Sequence, residues 1–156
     1  MDGRPALFRE VFFRGWSIKR DQWVYGYFAS IIDFHLYPFR QDVKESNRRP
    51  MILMNDPSVD DRNLALDNVH LDSVGEYIGF EDGNSRRIFT GDIVKLENGI
   101  TAEVVFNDGR FELANFSNGC EEESKREMND NYDLVSLWRY VYVIDNTFES
   151  NRRKNG

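Results

Sequence analysis

Of the five carboxylates in the glycine-rich stretch GEYIGFEDGNSRRIFTGDIVKLENG, Gly75 to Gly99, the three that could form a pair of catalytic acids are Glu76, Asp82 and Asp92. Paired acids hydrolyse bonds when their surroundings hold one protonated and leave the other ionised. Nothing in the spacing brings these three together. Asp92, set between Gly91 and IVK, reads more simply as a turn residue that accepts a hydrogen bond from a nearby backbone N–H. The two histidines, His35 and His70, are not spaced as H-x-x-x-H, so the usual zinc-helix pattern is missing. His35, in DFHLY, reads as a structural residue of an apolar strand. The lone cysteine, Cys120, has no second thiol to bond and stands before EEES, whose charge disfavours a thiolate. No G-x-S-x-G elbow occurs. The expectation is that the chain has no catalytic residues, no metal site and no cofactor.

The glycines Gly75, Gly79, Gly83, Gly91 and Gly99 match neither the dinucleotide fingerprint nor the P-loop. They read as the corners and bulges of a β-structure. The elements on either side agree. DIVKL is closed by the turn ENG, ITAEVVF alternates Ala102, Val104 and Phe106 with Thr101 and Glu103, and NDG at 107–109 is a strong hairpin signal before RFELANF returns. A strand with a bend at Gly15 is expected from LFREVFFRGWSI, and a longer one from WVYGYFASIIDFHLY. In the second, Trp23, Tyr25 and Tyr27 share one face while Val24 and Phe28 share the other. MILM at 51–54 reads as one short strand and Asp61–Val69 as loop with a helical turn. SKRE reads as a short exposed helix or solvated loop, and WRYVYVI as a last strand with Trp138, Tyr140, Tyr142 and Ile144 on one face.

These readings give a mainly β fold, α+β at the margin: a small SH3-like or partly open β-barrel built from meander strands, with long loops and one or two short helices. One β-rich domain is expected over 1–150, followed by a disordered polar tail at 151–156, NRRKNG.

Of 156 residues, 40% are hydrophobic, 14% aromatic and 30% charged, too apolar for a disordered chain. No apolar run approaches the length that spans a bilayer, so no membrane association and a cytoplasmic location are expected. The net charge of −7 is uneven: residues 1–50 carry nine Lys/Arg against six Asp/Glu, and the remainder eleven against twenty-one. An acidic total opposes unspecific nucleic-acid binding, while the first third could still present a basic patch.

The stretch VGEYIGFEDGNSRRIFTGDIVK, Val74 to Lys95, resembles the signature of the YopX protein family of phages and prophages. There a V-G-x-Y-x-G-hydrophobic segment leads to a D-x-N-G-type turn and an I-Y-x-G-D-I-V-like strand. FRGWSIKRDQWVYGYF (13–28) is similar to the family's opening F-R-G…W-V-Y-G-Y element, and VIDNTFESN (143–151) to its closing V-I-G-N-hydrophobic-x-E-N segment. This chain departs from the pattern in its Asp82-Gly83-Asn84-Ser85 turn, in Asp145 at the closing glycine position, and in residues 40–70, which have no counterpart. The resemblance implies a small β-rich protein of a phage or prophage in a bacterial host, and brings no established catalytic residues.

The reading that follows is a non-catalytic accessory protein that binds a protein partner, with a second copy of itself as one candidate. The alternative is a nucleic-acid-binding barrel using Arg14, Lys19, Arg20, Arg40, Arg48 and Arg49 on phosphates, with Trp23 or Tyr25 stacking on bases. A third reading has the acidic remainder mimic nucleic acid. Candidate binding residues are Gly79, Asp82, Gly91 and Asp92, at a barrel rim, with Trp23 and Tyr25. Core packing is the preferred account of the two aromatics, and their exposure decides between the readings.

Overall fold

Val, Ile, Phe, Tyr and Trp stiffen at χ1 or carry broad rings that suit a pleated surface, and the segments rich in them are strands. The computed structural model describes residues 10–32, 48–55, 64–117 and 137–156. It divides into two compact units, Val11–Glu76 and Met1–Glu10 with Tyr77–Gly156. The first holds β1 (Phe13–Trp16), β2 (Trp23–Ile32), β3 (Arg48–Asn55), β4 (Leu64–Asn68) and the opening residues of β5 (Gly75–Glu81). The second holds the rest of β5, β6 (Arg87–Phe89), β7 (Asp92–Leu96), β8 (Thr101–Asn107), β9 (Arg110–Ser117), β10 (Val141–Asn146) and one helix, α1 (Thr147–Asn155).

In the first unit β1 to β4 form an antiparallel meander in the order β4-β3-β2-β1. The register runs Trp16↔Trp23 to Phe13↔Gly26, then Tyr27↔Leu53 to Ile32↔Arg48, then Met51↔Asn68 to Asn55↔Leu64. The period of two sends Val24, Ile52 and Met54 to one face, where with Val69 they make the core, and Phe13 and Phe28 pack against them. At Gly26 a Cβ would stand 2.0 Å from the Leu53 carbonyl oxygen, so only glycine lets β2 and β3 approach at this point. The core face also buries Asp67, whose Oδ1 accepts from Ser17 Oγ at 2.9 Å while Arg20 Nε stands 2.9 Å from Oδ2. That network ties the β1–β2 turn to β4.

In the second unit the order is β10-β7-β8-β9, antiparallel, over a core that includes Val94, Val104 and Val141. Asp108 and Gly109 have φ of 47° and 79°, the left-handed pair that a tight β8–β9 hairpin requires. α1 starts on an N-cap: Asn146 Oδ1 accepts from the Glu149 N–H at 2.9 Å, and Asn146 Nδ2 donates to the Glu149 carboxylate.

The mainly β expectation and the β7–β8–β9 meander hold. A closed barrel is not present among the described residues: there are two antiparallel sheets, and neither the β4-β3-β2-β1 order nor the β10-β7-β8-β9 order returns on itself. Four local expectations are corrected. Gly15 lies in regular pairing, not a bend; its hydrogen faces Val69, whose side chain would stand 2.9 Å from a Cβ. Leu64–Asn68 is a strand because pairing with β3 supplies the ladder that its own weak pattern does not announce. Leu137–Tyr140 is a 3₁₀ turn that buries Leu137 and Trp138, and β10 buries Val141 and Val143, so Tyr140 and Ile144 face out. Residues 151–155 are the last turns of α1, nucleated by its cap. The expectations for His35, Arg40, Cys120, SKRE and most of 40–63 lie outside the described residues.

Candidate functional site

Asp82 is buried with a full set of partners. Its Oδ1 accepts from the N–H groups of Asn84 (2.8 Å) and Arg86 (2.9 Å), which closes the β5–β6 turn on itself. Its Oδ2 accepts from Val143 N–H at 2.9 Å, and Gly83 N–H donates to Val141 O at 3.1 Å. A Cβ at Gly83 would stand 2.5 Å from Tyr142 Cε1. One carboxylate and one glycine thus pin the turn to β10.

Asp92 has a similar role in the next turn. Fully buried, it accepts on Oδ2 from Phe89 N–H at 2.8 Å, the turn role its sequence setting predicts. Gly91, with φ of 85°, donates its N–H to Val104 O and accepts from Thr147 N–H, both at 2.8 Å. Gly79, with φ of 90°, sits in the irregular stretch between the pairs Tyr77↔Phe89 and Glu81↔Arg87. Its neighbour Phe80 turns to stack on Trp138 at 6.4 Å. Asp82 and Gly91 take part in the hydrogen bonds that join the two motif segments of this unit, Asp92 closes a turn within the first of them, and the polar atoms of all three hold backbone.

Trp23 and Tyr25 belong to a different surface. Opposite the core face of the first sheet, Tyr25 is 46% and Tyr27 62% exposed, so core packing does not account for these tyrosines. Trp23 is half-buried, edge-on to Trp16 at 5.4 Å, with the Arg14 guanidinium 4.5 Å from its ring centre. Phe12 lies parallel to Tyr25 at 6.4 Å. Across β3 and β4 the same face continues as Met51, Leu53 and Leu66, the last 48% exposed. Sequence periodicity finds the aromatic half and misses this aliphatic half, because its pairing across strands is not written in either segment alone.

Elsewhere the chemistry is sparse. Among the described residues no group of three or more His, Cys, Asp or Glu side chains could hold a metal ion. A hollow of about 240 Å³ lies in the second unit between Glu103, Asn115, Ser117 and Thr147. Its polar groups bond to one another: Asn115 Nδ2 donates to Glu103 at 2.7 Å, and the Thr101 and Ser117 hydroxyls pair. On β10 burial alone would raise the Asp145 carboxyl, but bonds from Arg153 and the Asn146 N–H outweigh it and hold the group below its ordinary value.

Among the described residues, no helix is long and apolar enough to cross a membrane. A family model described as YopX protein matches residues 12–152. No curated protein matches the chain.

Proposed function

The chain belongs to the YopX protein family, and from that premise we propose a phage or prophage accessory protein of the bacterial cytoplasm that works without catalysis, by docking a protein partner on the outer face of β1–β4. One observation carries this reading: an exposed sheet face made of Tyr, Trp, Phe, Met and Leu with arginines among them. Those residue types are the ones enriched at the centres of protein interfaces, where a few large side chains supply most of the binding energy. A soluble sheet normally turns polar residues to water, so an apolar outer face marks a contact surface.

The motif residues Gly79, Asp82, Gly91 and Asp92 are assigned to folding instead. Their polar atoms and backbone conformations already serve turns, which leaves a barrel-rim binding role without support.

Nucleic-acid binding is the second reading, favoured by Tyr25 and Tyr27 as stacking platforms. Phosphate contacts would have to come from cations, and among the described residues two of the candidates are committed elsewhere. Arg14 is only 4% exposed beneath Trp23, and Arg20 is engaged with Asp67.

An affinity capture from host lysate tests both readings, with nuclease and without, using the native chain and a Tyr25→Ser/Tyr27→Ser variant. The expected result is a defined protein retained in both nuclease arms and lost with the variant. Recovery that vanishes with nuclease would transfer the proposal to nucleic acid, and capture indifferent to the two tyrosines would refute the assigned face.

A further inference from the structure

The hollow of about 240 Å³ in the second unit lies apart from the residues assigned to docking. We propose that it binds a primary alkylammonium group, held by Glu103, Asn115 and Thr147 with its methylene stem against Ile93. Register puts Glu103 between Ile93 of β7 and Ala114 of β9. The β8–β9 ladder is irregular between Thr101 and Glu103, and there Asn115 takes φ of 52°, a left-handed backbone that costs a residue with a side chain. The irregularity has a use: it aims the amide of Asn115 at Glu103, whose carboxylate accepts from Nδ2 at 2.7 Å. Bulges that re-aim a side chain in this way recur beside functional sites.

The hollow offers mainly acceptors. An ionised carboxylate can only accept. Glu103 spends one oxygen, Oε2, on Asn115; among the described residues its Oε1 has no donor and the group has no ion-pair partner. Lys95, next to it in register opposite Thr101, forms no ion pair with it. The amide that gives Nδ2 to Glu103 keeps Oδ1 as an acceptor, and Thr147, the first residue of α1, brings a hydroxyl. The hydroxyls of Thr101 and Ser117 are taken up with each other. An ammonium carries three N–H donors and one positive charge, which matches this set, and charge-assisted hydrogen bonds are the stronger ones. Other ligands fit less well. A guanidinium grips a carboxylate through both oxygens, and here one is engaged. A divalent cation wants about six oxygens or more, and among the described residues no group of three His, Cys, Asp or Glu stands together. An anion would meet the charge of Glu103. A nucleotide is too large, since sites for drug-sized ligands run to roughly 300–1,000 Å³. Ile93 and Ala102 supply the apolar lining, which suits a stem of methylenes behind the charged head.

The same chemistry comes on a lysine side chain or on a free aliphatic diamine, and two probes separate the sources. The peptide acetyl-Gly-Lys-Gly-amide and cadaverine are each titrated into the isotope-labelled full-length chain at low salt and followed by amide NMR shifts. The control is the same peptide with its lysine acetylated, which keeps the stem and loses the charge. The expected result is saturable shifts at Ile93, Glu103, Asn115 and Thr147 with at least one probe and none with the control. Glu103→Gln, which keeps the shape and an oxygen for Asn115, should weaken binding at least about tenfold, with its folding checked by thermal melting; the arms on the native chain decide the matter if the variant does not fold. Binding of the peptide alone would assign the hollow to a lysine of a partner, and binding of cadaverine alone to a small molecule. Shifts scattered over surface carboxylates, affinity that survives Glu103→Gln, equal binding of the acetylated peptide, or no binding of either probe would overturn the site. None of these outcomes bears on the β1–β4 face, which the tyrosine variants test separately.

Discussion

Asp82 shows how much a single side chain can organise without chemistry. Its two oxygens serve three backbone N–H groups on two separated pieces of chain, 84–86 and Val143. Hydrogen bonds to an ionised acceptor are stronger than neutral ones, and a buried N–H left without a partner carries its own desolvation cost. Asp82→Ala is therefore expected to destabilise the protein by about 2–4 kcal/mol in urea denaturation, with Asp82→Asn between it and the native chain. A loss within a few tenths of a kcal/mol would deny the pinning role. Asp145 gives the pH-dependent counterpart. Its carboxyl sits below its ordinary value of 3.8, so its contribution is present above that value and disappears as the pH falls through the lower folded value. The pair with Arg153 lies at the surface and is screened by water, so the effect is small. Replacing Asp145 by Asn should lower neutral-pH stability slightly and flatten the acid limb of the stability profile by the same small amount.

At the scale of elements, glycine decides where strands can approach. A methyl group at Gly26 would meet the Leu53 carbonyl at 2.0 Å, a backbone atom that cannot swing away, whereas at Gly83 it would meet the ring of Tyr142. Gly26→Ala should part β2 from β3 and leave little folded protein, while Gly83→Ala should fold with a displaced Tyr142 and a lowered melting temperature. Circular dichroism and thermal melts check the order of severity. Helix α1 depends on its cap: Asn146→Ala removes both hydrogen bonds to Glu149 and should cost about 1 kcal/mol. Legibility in the sequence follows the same physics. The β7–β8–β9 meander is readable because short turns with left-handed residues fix its register locally, as Asp108 and Gly109 do. β4 is not, since Leu64–Asn68 owes its conformation to β3. The C-terminal helix escapes notice because its polar residues resemble a tail until the Asn146–Glu149 spacing is read as a cap. The site is half legible: alternation puts Trp23, Tyr25 and Tyr27 on one face, but which face meets water depends on what Val24, Ile52 and Val69 bury together. Asp82 and Asp92 are visible as special residues, and only their hydrogen bonds assign them to folding.

For the whole molecule, the family motifs divide between two roles. The segments at 77–95 and 143–151 carry turns, caps and close approaches in the second unit, while the opening segment, 13–28, carries the exposed aromatic face of β1 and β2 in the first. Substitutions at Tyr25 and Tyr27 should leave stability nearly untouched and abolish binding on the proposed face; those at the motif turns of the second unit should do the reverse. The most direct test places a photo-crosslinking amino acid at Tyr27, 62% exposed on the proposed face, and separately at Ile144, 52% exposed on β10, in the bacterial host that the family resemblance implies. The account predicts a discrete protein adduct from position 27 and none from position 144. An adduct from 144 alone, or no adduct from 27 with the native partner present, would contradict it.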